Sequence, residues 1–337
     1  MHIFKDTKYN FLRWRFHALA VSWVLIIAGA IMFAKVGIPL GIEFAGGTEV
    51  IEQFDQAVSV DQVRTALNNG LGRATGQNAI VQSFSDPAKH EVMIRVPSVL
   101  SEKGEELTNV AEGVDGALAK ASLGTFKRQG STIVGPAVGS ELKSRAFLAT
   151  VFSLAGLLVY IAFRFQFSFA VGAVVATIHD LLITLAFLTF FRYDMTLTVI
   201  AAILTITGYS TNDTIVIFDR IRENLRSMRR DSMNEVINSS VNQTLGRTVI
   251  VSGTVLLTAI ALFVFGGEVL KGFAFTMIVG VVTGTYSSVF IAAATVSFWR
   301  GNAPTRAAAH AHTIEHSAPT PQQPTRKSKP QRKARAS

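Results

Sequence analysis

The sequence predicts an all-α membrane bundle of six helices with one extracytoplasmic α+β domain of the ferredoxin-like type. Three observations indicate this fold class. The 337 residues are 49% hydrophobic and only 16% charged, against roughly 25% charged residues in an average soluble domain. Six apolar stretches are long enough to cross a bilayer, which takes about 17–25 residues each. The one long charged segment, residues 36–145, holds 23 Asp, Glu, Lys and Arg residues.

The predicted spans comprise residues 18–34, 146–163, 169–191, 196–218, 249–265 and 273–298. Only two formal charges, Asp180 and Asp213, lie inside them. Soluble helices of this length carry a polar stripe, so core helices of a large soluble protein are the weaker interpretation. A cleaved signal peptide is an alternative for the first span, because Ala28-Gly29-Ala30 lies within it. The apolar run continues to Ala34, however, and cleavage would cut mid-span.

Basic residues predict the orientation. They are concentrated in the N-terminal arm 1–17, the loop 219–248 and the tail 299–337, which fall on one side if six spans alternate. The short loops on the other side contain only Arg192 and Lys271 as basic residues. The positive-inside rule then places both termini in the cytoplasm, and the long charged segment is translocated.

The translocated segment, residues 35–145, has the pattern of a folded α+β unit. Strand-like content occurs at Thr48–Phe54, Ala79–Phe84, Val92–Val96 and around Ile133. Ser59 and Gln62 form a capping-box pattern that opens one helix, and residues 103–120 have the apolar spacing of a second helix. The order strand, helix, strand, strand, helix, strand suits a ferredoxin-like domain.

The C-terminal tail is predicted to be disordered from Pro319 to Ser337, because it combines Pro, Gln, Ser and basic residues with almost nothing apolar. Residues 300–337 contain eight Lys or Arg and one Glu. Basic clusters next to a membrane bind anionic lipid at about 1 kcal/mol per residue. Membrane lipid is therefore the predicted partner of the tail, in preference to nucleic acid.

The polar run Gly208–Thr214 interrupts the fourth span and is the most informative stretch of the chain. A carboxylate in hydrocarbon costs about 2.5–3.5 kcal/mol, so an intramembrane Asp usually marks an ion or proton path. The alternative is that Asp213 only holds helices together. Helical spacing places Thr205, Tyr209 and Asn212 or Asp213 along one face, and this face is predicted to point inward.

Two further sites carry candidate proton-relay residues. His179 and Asp180 lie in the middle of the third span, where histidine can carry protons near neutral pH. Adjacent residues point about 100° apart on a helix, so the two need not act together, and an inter-helix hydrogen bond is equally compatible. Arg247 is either a counter-charge to Asp213 or Asp219 or, as the sequence alone favours, an interfacial Arg.

Glycine and proline motifs occur at three further places. Gly280 and Gly284 form a small-xxx-small pair that allows close helix packing. Gly46-Gly47 and Gly135-Pro136 lie at the two boundaries of the translocated domain, as turns or as hinges. The chain has no Cys, no GxxxxGK[ST] run and no HExxH, so the sequence predicts no cofactor, no metal site and no ATP-driven activity.

Several motifs together resemble the SecDF family of bacterial protein-export factors, within the resistance-nodulation-division transporter superfamily. The resemblance covers nearly everything from the first span to about residue 299. It is carried by Gly41–Thr48, Val134–Gly139, Ile178–Asp180, Gly208–Asn224, Gln243–Thr248 and the run from Gly280 to Ser288. Two departures are Glu43, where the family usually has Asp, and the Pro-rich tail.

The resemblance implies a non-enzymatic subunit that works with SecD, as a heterodimer, and with the SecYEG channel in the bacterial cytoplasmic (inner) membrane. It implies that a translocating unfolded polypeptide is moved or released at the outer side by the proton gradient. Asp213 and Arg247 occupy the positions that the family associates with proton flow. Asn212, His179 and Asp180 are added here as candidate relay residues.

The chain contains one six-span unit and no internal repeat, so it is predicted to be half of a pseudo-symmetric pair. Two alternatives stay open at this point. A related transporter of lipids or small molecules would have an apolar pocket in the extracytoplasmic domain. A non-conducting scaffold subunit would use Asp213 for packing alone.

Overall fold

The computed structural model describes residues 7–71, 73–76, 79–84, 89–97 and 104–300. In chain order the elements are a 3₁₀ turn (Phe11–Trp14), α1 (Arg15–Val36), α2 (Ile42–Ala45), β1 (Gly47–Phe54), α3 (Val60–Gly70), α4 (Arg73–Gly76), β2 (Ile80–Phe84), β3 (Glu91–Pro97), α5 (Gly104–Lys120), β4 (Phe126–Val134), α6 (Pro136–Arg164), α7 (Phe167–Phe190), α8 (Leu197–Ser227), α9 (Met233–Phe265), α10 (Glu268–Ser287), a π-helical turn (Ser288–Ala292) and α11 (Ala293–Arg300). The predicted disordered tail lies outside the described residues.

Six helical stretches of the described chain are long and apolar enough to cross a membrane, in agreement with the six predicted spans. They are α1 with its 3₁₀ turn, α6, α7, α8, α9 and the continuous run of α10, π-helical turn and α11. α7 and α10 lie largely inside the bundle, whereas α1 and α6 bury little of their surface. The bundle is therefore built around α7, α8 and α10, with α1 and α6 at its edge.

Glycines bring α10 and α8 into close contact. A Cβ atom at Gly280 would lie 2.0 Å from Ile206 Cδ1, and one at Gly284 would lie 2.7 Å from Ser210 Cβ. No side chain fits at either position without separating the helices. The small-xxx-small pair thus sets the distance between α10 and the polar run of α8.

The domain between α1 and α6 contains a four-stranded antiparallel sheet in the order β2-β3-β1-β4. Its strands and its helices α3 and α5 follow the predicted order along the chain. The capping box of Ser59 and Gln62 opens α3 as expected. Fully buried side chains from both helices and from β3 form the core, namely Val63, Leu67, Ile94, Val114 and Leu118.

The basic segment 219–248 is mostly helical, whereas it was predicted as a loop. α8 continues to Ser227, and α9 begins at Met233 behind a capping box of Ser232 and Glu235. Asn224 is buried and donates from Nδ2 to Ser240 Oγ at 2.9 Å. Polar side chains pair across the two helices, so α8 does not end where its apolar run ends.

The domain is fastened to the α7–α8 connection. The Gly41 amide donates to the Met195 carbonyl at 2.8 Å, and the Met195 amide donates to the Pro39 carbonyl at 2.8 Å. Glu43 accepts a hydrogen bond from the Leu197 amide at the first residue of α8, where the helix dipole favours a carboxylate. Glu43, the residue that departs from the family motif, therefore caps the helix that carries Asp213.

An ion-pair cluster adds to this attachment. Arg95 on β3 is 5% exposed. Its Nη2 lies 3.0 Å from Glu49 Oε2 on β1 and 2.9 Å from Asp194 Oδ2 in the α7–α8 connection. One guanidinium group thus joins the sheet to the membrane bundle.

The two boundary motifs of the domain lie against each other. Gly46 and Gly47 have φ angles of +71° and +132°, which favour glycine. Gly135 is the N-cap of α6, and Pro136 is its first residue. A Cβ atom at Gly139 would lie 3.2 Å from the Gly46 amide nitrogen. The structure therefore shows a turn and a helix start packed together, and the hinge role stays a prediction.

Candidate functional site

Asp213 lies in α8 at the junction with α9 and the π-helical turn. Thr248 Oγ1 donates to Asp213 Oδ1 at 2.6 Å, and Ser288 Oγ donates to Oδ2 at 2.5 Å. Both carboxylate oxygens therefore have hydroxyl donors from other helices. Ser288 is the first residue of the π-helical turn, and such turns within α-helices occur frequently at functional sites.

A cavity of about 30 Å³ adjoins Asp213 and is also lined by Tyr209, Asn212, Arg247 and Thr248. This volume has room for a water molecule. Arg247 has no hydrogen bond or ion pair within 4.0 Å among the residues that the structure describes. Arg247 and Asp213 both line the cavity, but no direct salt bridge joins them. Asn212 also lines the cavity and is exposed on the described chain.

The buried face of α8 differs from the predicted one. Ser210 and Thr214 are buried, whereas Thr205 and Asn212 are exposed and Asp213 lies at the edge. The reason is that α8 contacts α7 and α10 through its small side chains, with Ser210 against Gly284. The face predicted to point inward is therefore only partly buried in the described chain, because Thr205 and Asn212 are exposed whereas Tyr209 and Asp213 are half-buried.

Asp180 is the second intramembrane carboxylate, and it is buried in α7. Its Oδ2 accepts hydrogen bonds from Ser210 Oγ at 2.5 Å and from Ser287 Oγ at 2.8 Å. Its Oδ1 lies 3.0 Å from His179 Nδ1, and His179 Nε2 lies 2.9 Å from Ser22 Oγ. His179 and Asp180 thus form one hydrogen-bonded unit despite pointing in different directions along the helix.

Two consecutive serines each bond to one of the two carboxylates. Ser287 bonds to Asp180, and Ser288 bonds to Asp213. The polar side chains therefore form two hydrogen-bonded groups, Ser22–His179–Asp180–Ser287 and Ser288–Asp213–Thr248, which are adjacent only through the backbone between Ser287 and Ser288. The sequence did not single out these serines as site residues. The signal that identifies them is their position in the polar group Thr285–Ser288 within an apolar span.

Tyr209 belongs to a neighbouring hydroxyl network. Its hydroxyl donates to Ser252 Oγ at 2.9 Å, and Thr285 Oγ1 donates to the same oxygen at 2.7 Å. This network links α8, α9 and α10 beside Asp213. It fixes the relative rotation of the three helices around the carboxylate.

A third acidic group lies in the α+β domain between α1 and α6. Glu52 on β1 occupies the same face as the core residues Val50 and Phe54 and is 0% exposed. Neither of its carboxylate oxygens has a hydrogen bond within the described chain. Arg128 Nε on β4 lies 3.5 Å from Oε1, and Arg128 Nη2 is also bonded to Asp115 on α5. Burial and the nearby Asp115 raise the pKa of Glu52 from 4.5 to about 7.

Replacing Glu52 with Gln is expected to remove a pH dependence of domain stability. In the wild type, the pKa of Glu52 is raised in the folded state. The contribution of Glu52 to stability is therefore fully present below pH 4.5 and is lost as the pH rises to about 7. As the pH rises between these values, the unfolding free energy of the variant should increase relative to that of the wild type by up to about 3 kcal/mol. Pulse proteolysis of the domain in urea at several pH values measures the difference.

The matched control is Asp61→Asn, because the Asp61 side chain is 88% exposed. This variant should show no comparable change with pH. If Glu52→Gln followed the wild type at every pH, Glu52 would not titrate in this range.

The comparisons with known proteins agree with the architecture. Residues 116–302 match the family model described as "Protein export membrane protein SecD/SecF, C-terminal". The chain is 34% identical to the protein translocase subunit SecF of Koribacter versatilis, over 91% of this chain and 96% of that protein. It is 41% identical to the subunit of the same name from Pseudomonas aeruginosa, over 84% of this chain and 89% of that protein.

A solved structure shares the fold. The crystal structure of SecDF, a translocon-associated membrane protein from Thermus thermophilus, aligns with a TM-score of 0.76 at 34% identity. The alignment covers 88% of this chain, which spans only 39% of the SecDF chain. The matching family model, the curated relatives and this shared fold show that the chain belongs to the SecD/SecF family of protein-export membrane proteins.

Proposed function

We propose that the chain is a SecF-type subunit that pairs with SecD and uses the proton gradient across the bacterial cytoplasmic membrane to promote protein export through SecYEG. Relatives over nearly the full length of the chain carry the name protein translocase subunit SecF. The similar SecDF chain is much longer than this one, so a separate SecD subunit would supply the remainder and the second half of a pseudo-symmetric pair.

The proposal of a proton-driven step is based on the contacts of the Asp213 carboxylate. Its carboxylate is held by Ser288 and Thr248 from two other helices and faces Arg247 across a small cavity. A neutral carboxyl group accepts hydroxyl donors less strongly than a carboxylate. Protonation would therefore weaken both contacts and change the packing of α8 against α9 and the π-helical turn.

The mechanical link that we propose runs along α8. Asp213 lies 16 residues after Leu197, or about 24 Å along the helix at 1.5 Å per residue. At that end, Glu43 and Arg95 attach the extracytoplasmic domain to the α7–α8 connection and to the start of α8. We propose that this domain is of the ferredoxin-like type. A shift of α8 caused by protonation would move the domain against the exported polypeptide.

The experiment that tests this function is proton flux through vesicles containing the reconstituted complex, with and without the Asp213→Asn substitution. We expect gradient-driven flux only with the wild-type chain. Equal flux in both samples would favour the scaffold alternative. Transport of a lipid or small molecule would use an apolar pocket in the domain, whereas the apolar cavity of about 570 Å³ in the described chain is lined mainly by the membrane bundle.

The proposed topology has its own test. The chain contains no Cys, so single Cys substitutions can be labelled without background. Ser122→Cys, at an exposed turn of the domain, should react with an impermeant maleimide added outside the cell. Ser317→Cys, in the basic tail, should react only after permeabilisation. The reverse pattern would contradict the orientation and the roles derived from it.

A further inference from the structure

A cavity of about 570 Å³ lies between α6, α7 and α8 at their ends nearest the domain. This volume falls within the range of small-molecule sites, roughly 300–1000 Å³. Leu181, Leu185, Ile200 and Ile203 form an apolar wall from α7 and α8. Leu40, Phe44 and Met195 close the end under the domain.

The opposite wall is one face of α6. Ser140, Lys143, Ser144 and Phe147 line the cavity at helical i, i+3, i+4 and i+7 spacing. The apolar run of α6 begins at Ala146, so Lys143 and the two serines lie at the membrane surface on the domain's side. Phe147 lies one turn deeper. The cavity therefore has a polar, cationic mouth and an apolar interior.

Lys143 differs from the nearby Arg145 in having no acidic partner among the described residues. Arg145 on the same helix is paired with Glu141. Lys143 has no hydrogen bond or ion pair within 4.0 Å in the part of the chain that the structure describes. An unpaired ammonium group beside two hydroxyl groups suits a phosphate, and the apolar walls suit hydrocarbon.

We propose that this cavity binds one phospholipid with an anionic headgroup from the leaflet on the domain's side. Lys143, Ser140 and Ser144 hold the phosphate group, and an acyl chain fills the space between α6 and the pair α7 and α8. The site lies where the domain meets the bundle, through Phe44 and Met195. The bound lipid therefore supports α6, which otherwise buries little of its surface.

The test uses a fluorophore attached to Leu148→Cys, beside the cavity but not lining it, in the full chain purified with its co-purifying subunit and placed in nanodiscs. The probes are phosphatidylglycerol and phosphatidylcholine, each with brominated acyl chains that quench fluorescence. We expect about five-fold stronger quenching per mole by phosphatidylglycerol, since one basic residue near an anionic lipid contributes about 1 kcal/mol. Inorganic phosphate should not reduce this quenching.

Three controls decide the result. Lys143→Gln in the same background should abolish the preference for phosphatidylglycerol, and Arg145→Gln should keep it. A label at Val159→Cys, which is 54% exposed on the same helix about three turns away, should show no preference. Native mass spectrometry should detect more retained phosphatidylglycerol with the wild type than with Lys143→Gln.

Three outcomes would overturn the proposal. Equal quenching by both lipids would show ordinary lipid surroundings. An equal effect of Lys143→Gln and Arg145→Gln would show a diffuse charge effect. Cross-linking from Leu148→Cys to the other subunit, with no quenching by lipid, would identify the cavity as a protein interface.

Discussion

Asp213→Asn is expected to abolish gradient-dependent export while the subunit still inserts and assembles. Asparagine keeps the size of the side chain and one oxygen for Ser288 or Thr248, but it cannot take up and release a proton. One elementary charge moved through 100 mV supplies about 2.3 kcal/mol, which corresponds to roughly a fifty-fold effect on an equilibrium. Export of a reporter protein into inverted membrane vesicles, with and without a proton gradient, measures the loss.

A control on the same helix separates titration from general damage. Asp219 lies in α8 as well, where its carboxylate is half exposed and pairs with Arg164 and Arg222. Asp219→Asn should export at close to the wild-type rate because surface pairs contribute little. Normal gradient-driven export by Asp213→Asn at normal abundance would refute the relay role and leave Asp213 as a packing residue.

Arg95→Ala is expected to have the largest effect on stability. Removal of the guanidinium leaves Glu49 and Asp194, only 18% and 16% exposed, without their shared cation. Loss of one partner of a buried ion pair typically costs about 3–5 kcal/mol. Although burial alone lowers the pKa of Arg95, the charges and hydrogen bonds of Asp194 and Glu49 raise it above its usual value, so the cation is always present in the wild type.

Pulse proteolysis in urea measures the unfolding free energy of the domain. Protease cleavage in the connection to the bundle measures how firmly the domain is attached. Arg64→Ala is the matched control, because Arg64 forms an exposed pair with Asp61 in the same domain. It should change the unfolding free energy by about 0–1 kcal/mol. A similar small change for Arg95→Ala would mean that the domain does not depend on this cluster for its attachment.

Local sequence patterns were sufficient to predict the six long apolar helices and the start of α3. The six spans follow from the length of their apolar runs, and the start of α3 follows from Ser59 and Gln62, which are three residues apart. Gly280 and Gly284 predict that one face of α10 allows close helix packing, although they do not identify α8 as the partner. Each of these features depends on interactions along one segment or on a property of one helix face, so the sequence contains the whole signal.

Contacts between distant residues required the tertiary structure. Ser288 is 75 residues from Asp213 and Thr248 is 35 residues from it, while Asp194 is 99 residues from Arg95. The polarity of Gly208–Thr214 predicted that a site exists, but not that Asn212 is exposed or that Ser210 bonds to Asp180. Glu52 was not singled out because an acidic residue in a strand normally faces solvent.

The sequence by itself determined that six stretches are long and apolar enough to cross a membrane, that one α+β domain lies between the first two, and that a polar run around Asp213 interrupts the fourth. Only the tertiary structure decided which hydroxyl groups hold each carboxylate and which charges join the domain to the bundle. The physical reason is that hydrophobic length and local capping act over a few residues. Side-chain pairing between helices depends on helix rotation and separation, which close packing of the whole bundle sets.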